Sequence, residues 1–308
     1  MCILVSILLA VYNGEKYLKE QIESILSQTY KDIKIIIRDD GSSDESKNII
    51  NNYCNLYPDK IFSISGNPTG SAKLNFAELL KNCDSEYIMF CDQDDVWLPS
   101  KIELTLNAMK SSENEGNTPV LVHTDLQVAD ENLGIVSPSF FEFNCLKQDN
   151  MTLPRLLVQN YVTGCTIMIN RALKQKCGDI PPECLMHDWW LALVALMFGK
   201  LVFCNDSTIL YRQHCENQVG AKAAYGLSFI KQKLATIKKV KETYNATYAQ
   251  AEALIKRYGE GLSLEQRKIL KTYCDMKNMR KFKKIRTINK FGFKKCTKMR
   301  VMGQYFLV

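Results

Sequence analysis

No stretch of the 308 residues stays apolar over the ~20 positions that a membrane-crossing helix needs, so the chain is not expected to span a bilayer. The opening segment Met1–Val11 is apolar, but no Lys or Arg precedes it and Tyr12-Asn13-Gly14 interrupts it early. Those features favour a buried first strand over a secretory signal. Neither G-x-G-x-x-G nor G-x-x-x-x-G-K-[ST] occurs, which removes the dinucleotide-binding turn and the P-loop as phosphate sites. Proline is scarce, at eight residues, and with 10% aromatics the composition excludes a solvating, disordered polymer. Twelve cysteines include no C-x-x-C pair and no zinc spacing; they read as reduced, mostly buried small residues of a cytosolic protein. There is no internal repeat and no low-complexity segment.

Basic charge is thin outside the C-terminal region. Residues 231–300 hold 21 Lys and Arg against five Asp and Glu, whereas the remainder holds 19 against 28. An acidic body with a basic extension is not the pattern of a uniform nucleic-acid binder, because the body would repel phosphates. Within the extension, Phe282, Ile285, Ile288 and Phe291 alternate with Lys281, Lys283, Lys284, Arg286 and Lys290. That mixture suits an anionic membrane surface. The expected division is 1–225 for the main domain and 226–308 for a basic helical region, helical from about Leu227.

Apolar runs at 3–11, 33–37, 61–64 and 87–91 predict four strands. Helical spacing (Leu18, Ile22, Ile25, Leu26) and helices from Ser43 and around 75–81 separate them. Asn13 is expected to cap the first helix. Further on, a helix to Ser112, strands at 120–128 and 165–169, a helix at 189–198 and two short strands at 201–204 and 208–211 are expected. Ser263 with Gln266 predicts a capping box. Alternating helices and uniformly apolar strands call for an α/β fold with a parallel sheet covered on both faces. Ligands of such sheets bind beyond the carboxyl ends of strands.

Both acidic clusters fall at such ends. Asp92-Gln93-Asp94-Asp95 places three carboxylates in four residues, wedged between apolar segments, where hard oxygen ligands suit Mg²⁺ or Mn²⁺ with a diphosphate completing the shell. Arg38-Asp39-Asp40-Gly41-Ser42 offers an acceptor for a base N–H or, equally, a turn and helix start. Its order excludes an EF-hand. Asp188, opening a helix beside Trp189 and Trp190, reads either as an N-cap or as a base beside flat apolar walls for a pyranose ring. His214, after a strand, is a candidate metal ligand.

These segments together resemble the family 2 glycosyltransferases, which have the GT-A fold. The match runs through Val5-Ser6-Ile7-Leu8-Leu9-Ala10-Val11-Tyr12-Asn13-Gly14, Arg38-Asp39-Asp40-Gly41-Ser42 and Asp92-Gln93-Asp94-Asp95. Val162-Thr163-Gly164-Cys165, His187-Asp188-Trp189-Trp190 and Tyr211-Arg212-Gln213-His214 are similar to the bacterial rhamnosyltransferase-type branch. The resemblance covers roughly residues 3–220 and implies inverting transfer of one sugar from a nucleotide-sugar donor, dTDP- or UDP-linked. The implied acceptor is a glycan or lipid-linked oligosaccharide of surface polysaccharide synthesis. It implies that Tyr12 and Asp39 hold the base, supported by Asp40, and that Asp92 and Asp94 form the D-x-D metal motif. Asp95 would lie near the donor sugar, His214 near the metal, and Gly164, Trp189 and Trp190 near donor or acceptor sugar. Asp188 matches the catalytic base, although the family often has Glu where His187 precedes it. The absent Q-x-x-R-W motif excludes processive synthases. A non-catalytic sugar-nucleotide or carbohydrate-binding protein and a nucleotidyltransferase are the alternatives, and the expected location is cytoplasmic, peripheral on the inner membrane face.

Overall fold

The computed structural model describes residues 3–113, 117–214 and 233–307, with the backbone alone over 233–239. The expected boundary at 225/226 and the start of the basic helices near Leu227 lie outside the described residues. The chain forms two compact units. The first takes the residues up to Phe140, Val162–Asp179 and the segment from Phe198 through the last strand; the second takes Phe141–Tyr161, Ile180–Met197 and the C-terminal helices.

The first unit is built on one sheet. Strands β1 (Val5–Val11), β2 (Ile33–Asp39), β3 (Ile61–Ser63) and β4 (Tyr87–Cys91) run parallel in the order β3-β2-β1-β4. Helices α1 (Leu18–Leu26), α2 (Ser46–Leu56) and α3 (Ala72–Lys81) make the crossovers. Val5, Ile7, Leu8 and Leu9 are all fully buried, so β1 is covered on both faces, as its unbroken apolar run requires. Each such side chain contributes roughly 1.5–3 kcal/mol on burial.

Beyond β4 the sheet becomes mixed. After β5 (Val96–Trp97) and α4 (Lys101–Ser112) come β6 (Val120–Ala129) and β7 (Ile135–Ser137). The short helices α5 (Phe140–Phe143) and α6 (Leu153–Leu156) lead to β8 (Ile167–Asn170) and α7 (Arg171–Cys177). Strand β8 is antiparallel to both β4 and β6 and, with the last strand β9 (Lys200–Arg212), completes the order β3-β2-β1-β4-β8-β6-β9-β5, with β7 beside β6. Helix α8 (His187–Phe198) precedes β9, which is one continuous strand parallel to β6 rather than two. The polar Asn205-Asp206 break reads as a turn, but the ladder absorbs it as a register shift near Asp125, with both residues exposed.

The second unit is helical in its C-terminal part: α9 (Lys233–Tyr258), α10 (Leu264–Asp275), α11 (Lys281–Phe291) and α12 (Lys298–Leu307). The capping box is formed: Ser263 Oγ accepts from Gln266 N and Gln266 Oε1 accepts from Ser263 N. Tyr273, 1% exposed, centres the core, its hydroxyl 2.8 Å from Thr247 Oγ1 and its ring 5.0 Å from those of Tyr248 and Phe293.

Candidate active site

Register brings the two acidic clusters to one edge of the first unit. Val11 pairs with Asp39 and Leu9 with Cys91, so the residues after β1, β2 and β4 leave the sheet side by side. Asn13 takes a left-handed conformation (φ 49°) that Asn tolerates better than most side chains. It does not cap α1, which starts only at Leu18 with no side-chain cap at Tyr17. Its carboxamide oxygen instead accepts from Ser43 N at 2.9 Å, and its own N–H donates to Ser42 Oγ at 2.8 Å. Gly14 N donates to Ser46 Oγ and Glu15 N to Asp44 Oδ2, so the loops after β1 and β2 are stitched together.

Adjacent aspartates then separate by direction. Asp39 accepts from Gly41 N at 3.1 Å, from Ser42 N at 3.0 Å and from the Ser42 hydroxyl, fixing the turn at the rim. Gly41 needs its φ of 90°, and an added Cβ would lie 2.7 Å from Pro68 Cγ. Asp40 points inward. It accepts from Thr69 N at 2.7 Å and Gly70 N at 2.9 Å and pairs with Arg38 at 2.8 Å, both partners being nearly inaccessible. Burial alone would raise the Asp40 carboxyl; the Thr69 N–H, the Arg38 guanidinium and the Gly70 N–H together hold it below the ordinary carboxylate value. Arg38 also donates to Asn75 Oδ1 and Asn67 O. Asp40 therefore anchors the 67–70 loop from beneath.

Gln93 was part of the acidic motif, yet composition alone gave it no task. Its carboxamide acts as a one-residue strand partner to Tyr12, accepting from Tyr12 N at 2.7 Å and donating to Tyr12 O at 2.8 Å. It thereby holds the Tyr12 main chain while the side chain stays exposed, at 57%. Gly14 leaves room for it: a Cβ there would sit 2.6 Å from Gln93 Oε1.

The acidic cluster itself divides in two. Asp94 Oδ2 lies 2.7 Å from His214 Nε2, whose ring is 5.1 Å from that of Tyr17. Asp92, Asp95 and Cys165 form a second group, with ligand atoms within 4.8 Å of one another. Asp95, expected beside the donor sugar, is fully buried. Burial, followed by the charges of Asp94 and Asp92, pushes its carboxyl well up. Burial also keeps the Cys165 thiol protonated, with Asp95 and Asp92 adding to the effect. Gly164 opens a single helical turn, Gly164–Thr166, leading into β8.

Arg212, 3% exposed, is the second motif residue to which the sequence alone assigns no role. It donates through Nε to Asp94 O at 2.9 Å and through Nη1 to Glu131 O at 2.6 Å, and pairs with Glu20. Its N–H donates to Asp95 Oδ1 at 3.2 Å, and its guanidinium stacks over Tyr17 at 4.5 Å. The only sequence signal for it was an Arg at the end of an apolar strand next to a histidine. Lys101 lies fully buried behind the cluster, its Nζ 3.5 Å from Thr208 Oγ1 and 4.7 Å over the Trp97 ring. Burial lowers its ammonium to about 8, against the opposing pull of Cys165, Cys91 and Asp95.

The remaining expected residues belong to the second unit. Asp188 is the second residue of α8, 7% exposed, with Oδ1 accepting from Trp189 N at 2.5 Å. Burial lowers the neighbouring His187 imidazole to about 3, so it is neutral. Trp189 donates its indole N–H to Leu156 O at 2.6 Å. Trp190 is fully buried, 6.3 Å from the Tyr258 ring with Arg257 over its face.

Residues 6–176 match the profile of glycosyl transferase family 2, and the chain belongs to that family. It is 30% identical over 291 residues to an uncharacterized glycosyltransferase of Rickettsia typhi, covering 88% of this chain and 87% of that protein. It is 32% identical over 233 residues to the dTDP-rhamnosyl transferase RfbG of Shigella flexneri, covering 70% and 75%. Among solved structures, S. aureus TarS 1–349 in complex with UDP superposes with a TM-score of 0.57 at 15% identity, covering 99% of this chain and 83% of that one. The fold is thus of the GT-A type. Among the described residues, no helix is long and apolar enough to cross a membrane.

Proposed function

We propose that this protein transfers a single sugar, with inversion, from a dTDP- or UDP-linked donor to a hydroxyl of a glycan or lipid-linked acceptor in bacterial surface polysaccharide synthesis. The observation that carries this reading is the acidic strand end: Asp92, Asp94 and Asp95 crowded together, braced by Arg212 from below and flanked by Tyr12 and Asp39. The names of the Shigella relative and of the TarS complex support the nucleotide-sugar donor. Tyr12 and Asp39 take the base, with Asp40 and Gln93 fixing the loops that present them.

The Asp92 and Asp94 carboxylates with one imidazole, His214, form an oxygen-rich donor set, which fits Mg²⁺ or Mn²⁺. Asp92, Asp94 and His214 would hold the ion, which when bound offsets the negative charge of the departing nucleoside diphosphate. Asp188 removes the proton from the acceptor hydroxyl as the oxygen attacks the anomeric carbon from the face opposite the diphosphate. The neutral His187 adds no charge beside it. Gly164 and Trp189 belong to the sugar-binding surroundings. In this reading the protein works on the inner face of the cell membrane.

The test is incubation with a panel of nucleotide sugars and detection of released nucleoside diphosphate. Asp188→Asn lowers transfer at least ~10²-fold while nucleotide binding persists. EDTA stops the reaction and Mn²⁺ or Mg²⁺ restores it. Full turnover by Asp188→Asn would remove that residue from its role, and EDTA-resistant turnover would remove the metal.

A further inference from the structure

The last two helices carry an unusual surface. From Met276 to the end of the chain there are eleven Lys and Arg and no Asp or Glu. Gln304, 2% exposed, faces inward and donates to Phe293 O at 2.7 Å. That seating turns the opposite side of α12 outward, where Met299, Met302 and Phe306 recur at i, i+3 and i+7. The two methionines are each 60% exposed and Phe306 is 78% exposed. On α11, Phe282 is 83% exposed, and Lys283, Arg286 and Lys290 form an exposed i, i+3, i+7 row. The helices are tied to each other by Tyr305 Oη donating to Asn289 Oδ1 at 2.8 Å and by Lys281 Nζ donating to Phe306 O at 3.2 Å. The Lys281 contact sets Phe306 beside the start of α11, the turn that carries Phe282.

Four large apolar side chains held in water among uniformly basic neighbours mark an interaction surface. We propose that this face of α11 and α12 docks the protein on a bilayer containing anionic lipid. Phe282, Met299, Met302 and Phe306 enter the boundary between headgroups and acyl chains, while Lys283, Arg286, Lys290 and Lys298 lie against the lipid phosphates. Charge complementarity selects this occupant. A second copy would bring eleven like charges against eleven, and a nucleic-acid backbone would leave the methionine stripe in water. The docking gives a surface to the peripheral location proposed with the transfer reaction, and it is measured without any sugar transfer, so the two can fail separately.

The experiment is flotation of the full chain with vesicles of phosphatidylcholine alone or mixed with phosphatidylglycerol. The protein floats with the anionic vesicles and not with the neutral ones, and high salt releases it as the Debye length shrinks. One basic residue near such a surface is worth about fivefold (about 1 kcal/mol), so Lys283→Glu/Arg286→Glu/Lys290→Glu lowers vesicle affinity at least ~100-fold. Phe282→Ser/Phe306→Ser lowers it about tenfold or more at unchanged charge. All five side chains are exposed, so circular dichroism and the unfolding midpoint stay at the wild-type values. Equal binding to neutral and anionic vesicles, or wild-type flotation by both variants, overturns the proposal. So does a dimer in gel filtration that Phe282→Ser/Phe306→Ser dissolves, or binding to single-stranded DNA with no vesicle binding at all.

Discussion

Replacing Gln93 by Glu changes one NH₂ group into one oxygen, at a point where the direction of a hydrogen bond is fixed. The Gln93 amide nitrogen donates to Tyr12 O at 2.8 Å, and a carboxylate oxygen in that place would face the carbonyl oxygen with no proton between them. The side chain must swing away, which also breaks the 2.7 Å bond from Tyr12 N. Two partly exposed hydrogen bonds are worth about 1–3 kcal/mol together. The new charge joins Asp92, Asp94 and Asp95. For charges about 6 Å apart, each added repulsion is about 0.7–3 kcal/mol as the effective dielectric constant falls from ~80 to ~20.

The two contributions separate by comparison with Gln93→Ala, which loses the same bonds and adds no charge. Urea unfolding should show Gln93→Ala down by about 1–3 kcal/mol and Gln93→Glu lower still. Raising the salt should close the gap between them while leaving the Ala deficit in place. Titration calorimetry with UDP or dTDP should show weaker binding for both variants, because the Tyr12 main chain is no longer held. A Gln93→Glu protein that unfolds with the wild type and binds nucleotide equally would refute the reasoning. Identical Ala and Glu variants at low salt would refute its electrostatic half.

Gly14→Ala drives a Cβ to within 2.6 Å of Gln93 Oε1, so it should destabilise by about 1–3 kcal/mol alone and far less in a Gln93→Ala background. A double-mutant cycle showing plain additivity would rule out the contact. Asp40→Asn strips the partner from buried Arg38 and should cost about 3–5 kcal/mol at pH 7. The Asp40 carboxyl is held below 3.8 in the folded state, so its stabilisation is complete above that value and is lost as the pH falls through its folded pKa. The difference between wild type and Asp40→Asn should therefore shrink below pH 4 in urea titrations. Lys101→Met removes a buried ammonium lowered from 10.5 to about 8 and should stabilise by up to about 3 kcal/mol at neutral pH. Here the sign reverses: the native state sheds its proton first, so the wild type regains stability between pH 8 and 10.5 and the variant's advantage fades.

Where the chain's information was local, the sequence made it legible. The apolar runs of β1, β2 and β4 and the acidic residues after β2 and β4 are contiguous, and their placement at one sheet edge follows from parallel pairing. The antiparallel β8 was not legible, because Ile167–Asn170 is apolar whichever way it runs and its partners are distant in the chain. Nor could Asn13 be assigned: a residue suited to capping a helix is equally suited to a left-handed corner, and the Ser43 N–H that decides the matter lies thirty residues on. Trp190 beside Asp188 reads equally as a wall of a site or as core, and what the sequence does not show is how far helical geometry turns it from its neighbours; it is fully buried.

The same alternation explains how so many carboxylates coexist at one edge. In each cluster one aspartate turns inward and finds a cationic or N–H partner: Asp40 meets Arg38 and the Thr69 N–H, and Asp95 meets the Arg212 N–H with Lys101 behind. The inward residue and its cation pin the loop to the sheet, so its neighbour can stay at the rim without the loop relaxing away from the repulsion. Asp39 and Asp94 are those neighbours, each still partly accessible. Buried Arg38 and Arg212 do for the carboxylates what a bound ion does from the solvent side, which is to lower the cost of concentrating negative charge. A site of this design is strongest with cations on both sides. Removing the inner one, as in Arg212→Met, should weaken Mn²⁺ binding measured by calorimetry even though Arg212 is not among the proposed ligands, because Asp94 loses the main-chain tether that aims it.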